Sequence, residues 1–180
     1  MTSLPFSRTF HISHTSASTE KERLSGLLEE VGKRDGIEGL RLSHEGTAAL
    51  NLTSGKKVYF EYQENAAALV LYMPLFDLPR DPKRRLACME QMLDRNFLKL
   101  KTGRGELSLM RESDQAVYQI VLQAAGLNVD LLDDSINEML EQYEASVSVL
   151  KSPISNALPH PFSSGHHGGR QQLLANVKRR

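Results

Sequence analysis

The stretch Ala66-Ala67-Ala68-Leu69-Val70-Leu71-Tyr72-Met73-Pro74-Leu75-Phe76 decides how this chain is layered. In an extended backbone successive side chains point to opposite faces, so Leu69, Leu71 and Met73 share one side while Val70 and Tyr72 share the other. A strand apolar on both sides belongs inside a sheet and is expected to be covered twice. The residues before it alternate on one face only. Leu40 and Leu42 precede a turn at His44-Glu45-Gly46, and Ala48, Leu50 and Leu52 alternate next. Ser54-Gly55-Lys56 then turns into Val58, Phe60 and Tyr62. These read as three short strands, each with one apolar face, and the short links make them antiparallel.

Outside this block the period changes. Thr19 and Glu22 have capping-box spacing, and Leu24, Leu27, Leu28 and Val31 recur at helical intervals until Gly32 to Gly36, which predicts a first amphipathic helix. Asp81-Pro82 supplies a capping carboxylate and a proline in the first turn, opening a second helix to about Leu100. Its stripe is Leu86, Met89, Leu93, Phe97 and Leu100, flanked by Cys88 and Met92, and Gly103 and Gly105 end it. Leu107 and Leu109, then Tyr118, Ile120 and Leu122, predict two more strands around a polar turn at Glu112-Ser113-Asp114. Leu132, Ile136, Met139, Leu140, Tyr143, Val147 and Leu150 trace a third helix. The predicted class is α+β, an antiparallel sheet with three helices in the order α-β-β-β-β-α-β-β-α.

The 180 residues suit one domain with tails. Residues 1–18 carry Leu4, Phe6, Phe10 and Ile12 among Ser, Thr and His without a sustained period, and are read as a tail that is disordered until bound. Residues 152–180 hold Pro153, Pro159, Pro161 and a Ser/Gly/His run, a second and basic tail, whose last ten residues could form a short helix on a partner. The domain is therefore placed at 19–151. All 22 acidic residues lie in it against 17 Lys and Arg, a charge of −5, while Arg8, Arg170, Lys178, Arg179 and Arg180 stand in acid-free flanks. An acidic body with basic ends argues against a dedicated nucleic-acid binder. No apolar run approaches the roughly 20 residues of a membrane helix, and the start lacks a secretory leader pattern, so a cytoplasmic protein without membrane insertion is expected. Cys88 is the only cysteine, which excludes an internal disulfide and reads as a small core residue.

Catalytic constellations are missing. His11, His14, His160, His166 and His167 fall in the tails and His44 in a turn; adjacent His166 and His167 on a flexible chain make a poor metal site. Glu29-Glu30 and Asp133-Asp134 fit solvated helix faces. Gly103-Arg104-Gly105 is too short to cradle phosphates, and Gly32 to Gly39 lacks the Lys and hydroxyl pair of a nucleotide loop. No enzyme, metal or cofactor is expected. The competing function is a nucleic-acid-binding or regulatory protein using the basic C-terminal tail, and an enzyme on an unfamiliar scaffold would need a polar pocket the sequence does not reveal.

The order of elements, the phrase Leu71-Tyr72-Met73-Pro74-Leu75-Phe76-Asp77-Leu78-Pro79, and Met92-Leu93-Asp94-Arg95-Asn96 followed by Gly105-Glu106-Leu107-Ser108-Leu109 resemble the class I chaperones of type III secretion over about Leu24 to Leu150. The sequence departs from the commoner pattern in its long tails and in lacking a tryptophan in the last helix. The resemblance implies a homodimer that binds the extended N-terminal segment of a secreted effector protein, keeps it competent for secretion and delivers it to the apparatus, with the secretion ATPase as a second contact. It also implies that the second helix pairs across the dimer axis, through Leu86, Met89, Leu93 and Phe97; on spacing alone the less favoured alternative is that Met89, Leu93 and Phe97 face the monomer core. For the client, Leu50, Leu52, Val58, Phe60 and Tyr62 are the strand residues from which a peptide-binding surface would be built, although alternation alone fits ordinary core positions as well.

Overall fold

The computed structural model describes residues 14–99 and 101–151. Helix α1 (His14–Arg34) leads into strands β1 (Thr47–Asn51), β2 (Lys57–Gln63) and β3 (Ala68–Asp77), helix α2 (Pro82–Asn96), strands β4 (Glu106–Met110) and β5 (Gln115–Gln123), and helix α3 (Val129–Lys151). All strand pairs are antiparallel, in the order β1-β2-β3-β5-β4, so the α+β class stands and β3 is central. The other tail readings, on residues 1–13 and 152–180, lie outside the described residues.

The expected element order loses its first strand and becomes α-β-β-β-α-β-β-α. Leu40 and Leu42 are buried, but their segment runs back along α1 instead of pairing in the sheet. The Leu42 N–H donates to Ser25 Oγ at 3.0 Å, Arg41 pairs with Glu29, and the Ile37 N–H donates to the Gly32 carbonyl at 2.7 Å. A Cβ on Gly32 would stand 2.7 Å from the Ile37 oxygen, so the glycine permits this close return. Alternation of two leucines records an extended backbone, which a helix can cover as readily as a sheet. The start of α1 also differs: the backbone is helical from His14, so residues 14–18, read as tail, belong to the helix and Thr19 lies inside it.

Asp81 caps α2 as expected, accepting from the Arg84 N–H at 2.8 Å with Pro82 in the first turn. Helices α1 and α3 pack on one face of the sheet. Leu24 and Leu28 from α1 and Leu132, Ile136 and Met139 from α3 bury against Phe60, Leu69, Leu71, Met73, Tyr118 and Ile120. Each such side chain contributes about 1.5–3 kcal/mol by leaving water. The second expectation about β3 changes here. Its inner residues are fully buried, whereas Val70, Tyr72 and Pro74 are only half-buried on a face that carries no helix among the described residues. Cys88, buried with its thiol pushed up by that burial, is the core residue the sequence suggested. No helix among the described residues is long and apolar enough to cross a membrane.

Candidate functional site

The strand register fixes what the uncovered face displays. Tyr59 stands opposite Tyr72 and Glu61 opposite Val70, while across the next ladder Val70 meets Val121, Tyr72 meets Gln119 and Pro74 meets Val117. The rings of Tyr59 and Tyr72 stack with centroids 5.1 Å apart. Val121 remains 48 % exposed. Together they form an apolar strip with a shallow cavity of about 370 Å³, whose lining includes Val70, Tyr72, Met110 and Val117. Carboxylates rim it. Glu61 accepts from Gln63 Nε2 and Glu106 from Gln119 Nε2, and Glu112 closes the far side. Among the described residues no ion pair involves these three acids. Burial first, and then the nearby Glu61, push the Tyr72 phenol up, so it stays a neutral donor.

The sheet edges differ. On β4 the Asn96 side chain takes the place of a neighbouring strand, donating from Nδ2 to the Leu107 carbonyl at 2.9 Å and accepting the Leu107 N–H on Oδ1 at 2.8 Å. On β1 the carbonyl of Gly46 and the N–H of Leu52 bond inward, to Tyr62 and Lys56. Backbone groups alternate along an antiparallel strand, so those of Ala49 and Asn51 point away from the sheet. Among the described residues only the first of that outward row is engaged by the chain itself, where Thr47 bonds to Ser43.

A second apolar surface lies on α2. Leu86, Leu93, Phe97 and Leu98 are each at least 60 % exposed, whereas Cys88 and Met92 turn inward. The stripe read from spacing therefore faces solvent in the single chain, and the alternative that it fills the monomer core fails for Leu86, Leu93 and Phe97. Met89 is half-buried and lines, with Leu78, Met92, Leu93, Leu107 and Leu109, a small apolar cleft of about 150 Å³ between α2 and β4. Leu98 and Lys99 follow with φ of 53° and 54°, a left-handed backbone that costs a non-glycine residue about 1 kcal/mol or more.

The five strand residues nominated for client binding separate. Leu50, Val58 and Phe60 are core residues, at most 8 % exposed, and offer no surface; the inner parity that made them look like one apolar face is the parity that the helices cover. Leu52 and Tyr62 are half-buried at the margin of that core. The residues on the open face, Tyr59, Val70, Tyr72 and Val121, were missed. Their signal was present in the opposite parity of β2, β3 and β5, where aromatic and β-branched residues alternate with the core set.

The model of the Tir chaperone protein (CesT) family matches residues 26–146, from the middle of α1 into α3. Among solved structures the chain is similar to the ExsC–ExsE complex at 17 % identity and a TM-score of 0.61, over 72 % of this chain and 95 % of that one. It is similar to the HopA1–SchA chaperone–effector complex at 14 % identity and a TM-score of 0.59, over 72 % and 97 %. A third likeness is to the heterodimeric ExoU–SpcU complex from the type III secretion system of Pseudomonas aeruginosa, at 18 % identity and a TM-score of 0.55, over 69 % and 98 %. At these identities the solved structures show a shared fold. No curated protein matches the sequence. The family match spans both surfaces just described, and the chain belongs to the Tir chaperone protein (CesT) family.

Proposed function

We propose that this protein is a type III secretion chaperone that holds an effector protein as an extended chain and keeps it competent for secretion. The observation that carries the proposal is the sheet face that no helix covers among the described residues, an apolar strip with a stacked tyrosine pair on a family-typical scaffold. An unfolded segment satisfies its backbone on the outward groups of Ala49 and Asn51 along β1. Its alternate side chains then reach Tyr59 on the open face and the half-buried Ala48, Leu52 and Tyr62 on the other. The chaperone domain occupies residues 14–151, its first bound moved from 19 by the helix that starts at His14, acts in the cytoplasm, and works without catalysis, nucleotide or cofactor.

The working unit is a homodimer. Leu86, Met89, Leu93 and Phe97 pair across the axis, because an apolar stripe left in water on α2 is covered by its copy in a symmetric contact. The secretion ATPase is a second contact in delivery. The deciding experiment is capture of secreted effectors from the source bacterium by the wild-type protein and by a Tyr59→Ser, Tyr72→Ser variant, with hydrogen exchange on the captured client. The reading requires an effector segment of some tens of residues, unprotected outside the bound stretch, that the variant loses while remaining dimeric. Capture of compact proteins alone would overturn it.

A further inference from the structure

The rim of the open face and the segment after α3 have complementary chemistry. The face combines an apolar strip (Val70, Tyr72, Val121) with Glu61, Glu106 and Glu112; among the described residues none of these acids is in an ion pair and no Lys or Arg lines the cavity. Residues 170–180 combine Leu173, Leu174 and Val177 with Arg170, Lys178, Arg179 and Arg180, and contain no acid. The two compositions are complementary in kind, with Lys57 as the one cation on the same side of β2 as Tyr59 and Glu61: aliphatic side chains against aliphatic, cations against carboxylates, and guanidinium planes against tyrosine rings.

The path is short enough. Lys56, in the β1–β2 turn, pairs with Glu144 and lies over the Tyr143 ring, so α3 reaches the end of the sheet where that turn lies. The register puts the β4–β5 turn, with Met110 and Glu112, at the same end, because Asp77 pairs with Gln115 and Met110 with Gln115. From Lys151 to Arg170 an extended chain covers up to about 60 Å. Passing from the helix layer round the end of the sheet to its other face takes roughly 20–30 Å, given layers about 10 Å apart and strands about 4.8 Å apart.

We propose that residues 170–180 of the chain dock on its own open sheet face, with the basic side chains on Glu61, Glu106 and Glu112 and Leu173, Leu174 and Val177 on the strip around Tyr72, capping the surface until a client displaces them. This rests on the reading of that face as the client surface, and it adds a regulator supplied by the chain itself. The cap keeps an apolar strip out of water in the free chaperone, and it sets a threshold for clients: a segment that occupies the face nine-tenths of the time weakens capture about tenfold.

The test uses the full chain without any client. A zero-length carbodiimide joins an amine only to a carboxylate it touches, so mass mapping should find Lys178 coupled to Glu61, Glu106 or Glu112, and mixing isotopically labelled with unlabelled protein should place both ends in one chain. The chain has no tryptophan, so Leu174→Trp is a clean reporter. Its emission should be blue-shifted in dilute buffer and move to the solvent-exposed value in 0.5 M NaCl or in a Glu61→Lys, Glu106→Lys variant. Reversal in the segment itself, Arg179→Glu with Arg180→Glu, leaves the described core untouched and should give the same exposed value. Coupling of Lys178 elsewhere, coupling only between copies, or a solvent-exposed emission in dilute buffer would each overturn the cap. Loss of effector capture with the coupling intact would sink the chaperone reading of the face; capture intact with no coupling would sink the cap alone.

Discussion

The two faces of the central sheet are drawn from the same strands and are both rich in apolar and aromatic residues, yet they end in opposite states. Phe60 and Leu71 face α1 and α3 and are closed to water; Tyr59 and Tyr72, one residue along on each strand, stack in the open. What separates them is coverage. Among the described residues three helices contribute apolar stripes, and all the buried ones meet the inner face or the β4 flank, so none of them covers the outer strip. An apolar residue in this fold is closed to water or left accessible according to the layer above it.

Substitutions on the two faces test that contrast, and the largest effect belongs to the inner one. Phe60→Ala should lower stability by about 3–5 kcal/mol, seen as a fall in the urea midpoint, because it leaves a cavity under α1 and α3. Tyr59→Ala, its neighbour, should cost about 1 kcal/mol or less. Equal losses would erase the distinction between the faces.

Next comes Gly105→Ala. A Cβ there would stand 2.3 Å from Cζ and Oη of Tyr118, whose hydroxyl donates to the Thr102 carbonyl at 2.7 Å, so the inner layer must shift at a cost of about 1–3 kcal/mol. The same tyrosine sharpens the comparison by pH. Burial first, and then the carboxylate of Glu138, push its phenol from 10.0 up to about 12. A folded pKa above the unfolded one means that stability is fully present below pH 10 and falls as pH rises from 10 to 12, by at most about 1.4 kcal/mol per pH unit. Alkaline denaturation curves should show this loss, and Tyr118→Phe should remove it.

On the exposed surfaces the stability effects should be smallest and the functional ones decisive. Tyr59→Ser with Tyr72→Ser should change stability by about 1 kcal/mol or less while abolishing effector capture. Leu93→Asp with Phe97→Asp should leave the folded chain's circular dichroism unchanged and convert the dimer to monomer by light scattering, since two unpaired carboxylates in an apolar contact are costly. A wild-type monomer at micromolar concentration would remove the role assigned to α2.

Much of this architecture was legible in the residues. Period 3.6 located the three helices, period 2 located β1 to β5, the double apolar character of residues 69–73 put β3 inside the sheet, and Asp81-Pro82 marked the start of α2. These are properties of the chain with itself, set by backbone geometry and by side chains a few residues apart. The tertiary structure decided the rest: that Leu40 and Leu42 lie along α1, that Asn96 closes the β4 edge, that Gly105 makes room for Tyr118, and that the inner face holds Leu50, Val58 and Phe60 while Tyr59 and Tyr72 stay open. Periodicity records which residues share a side. Which side another element covers depends on contacts between segments far apart in sequence, and that is settled only when the helices pack.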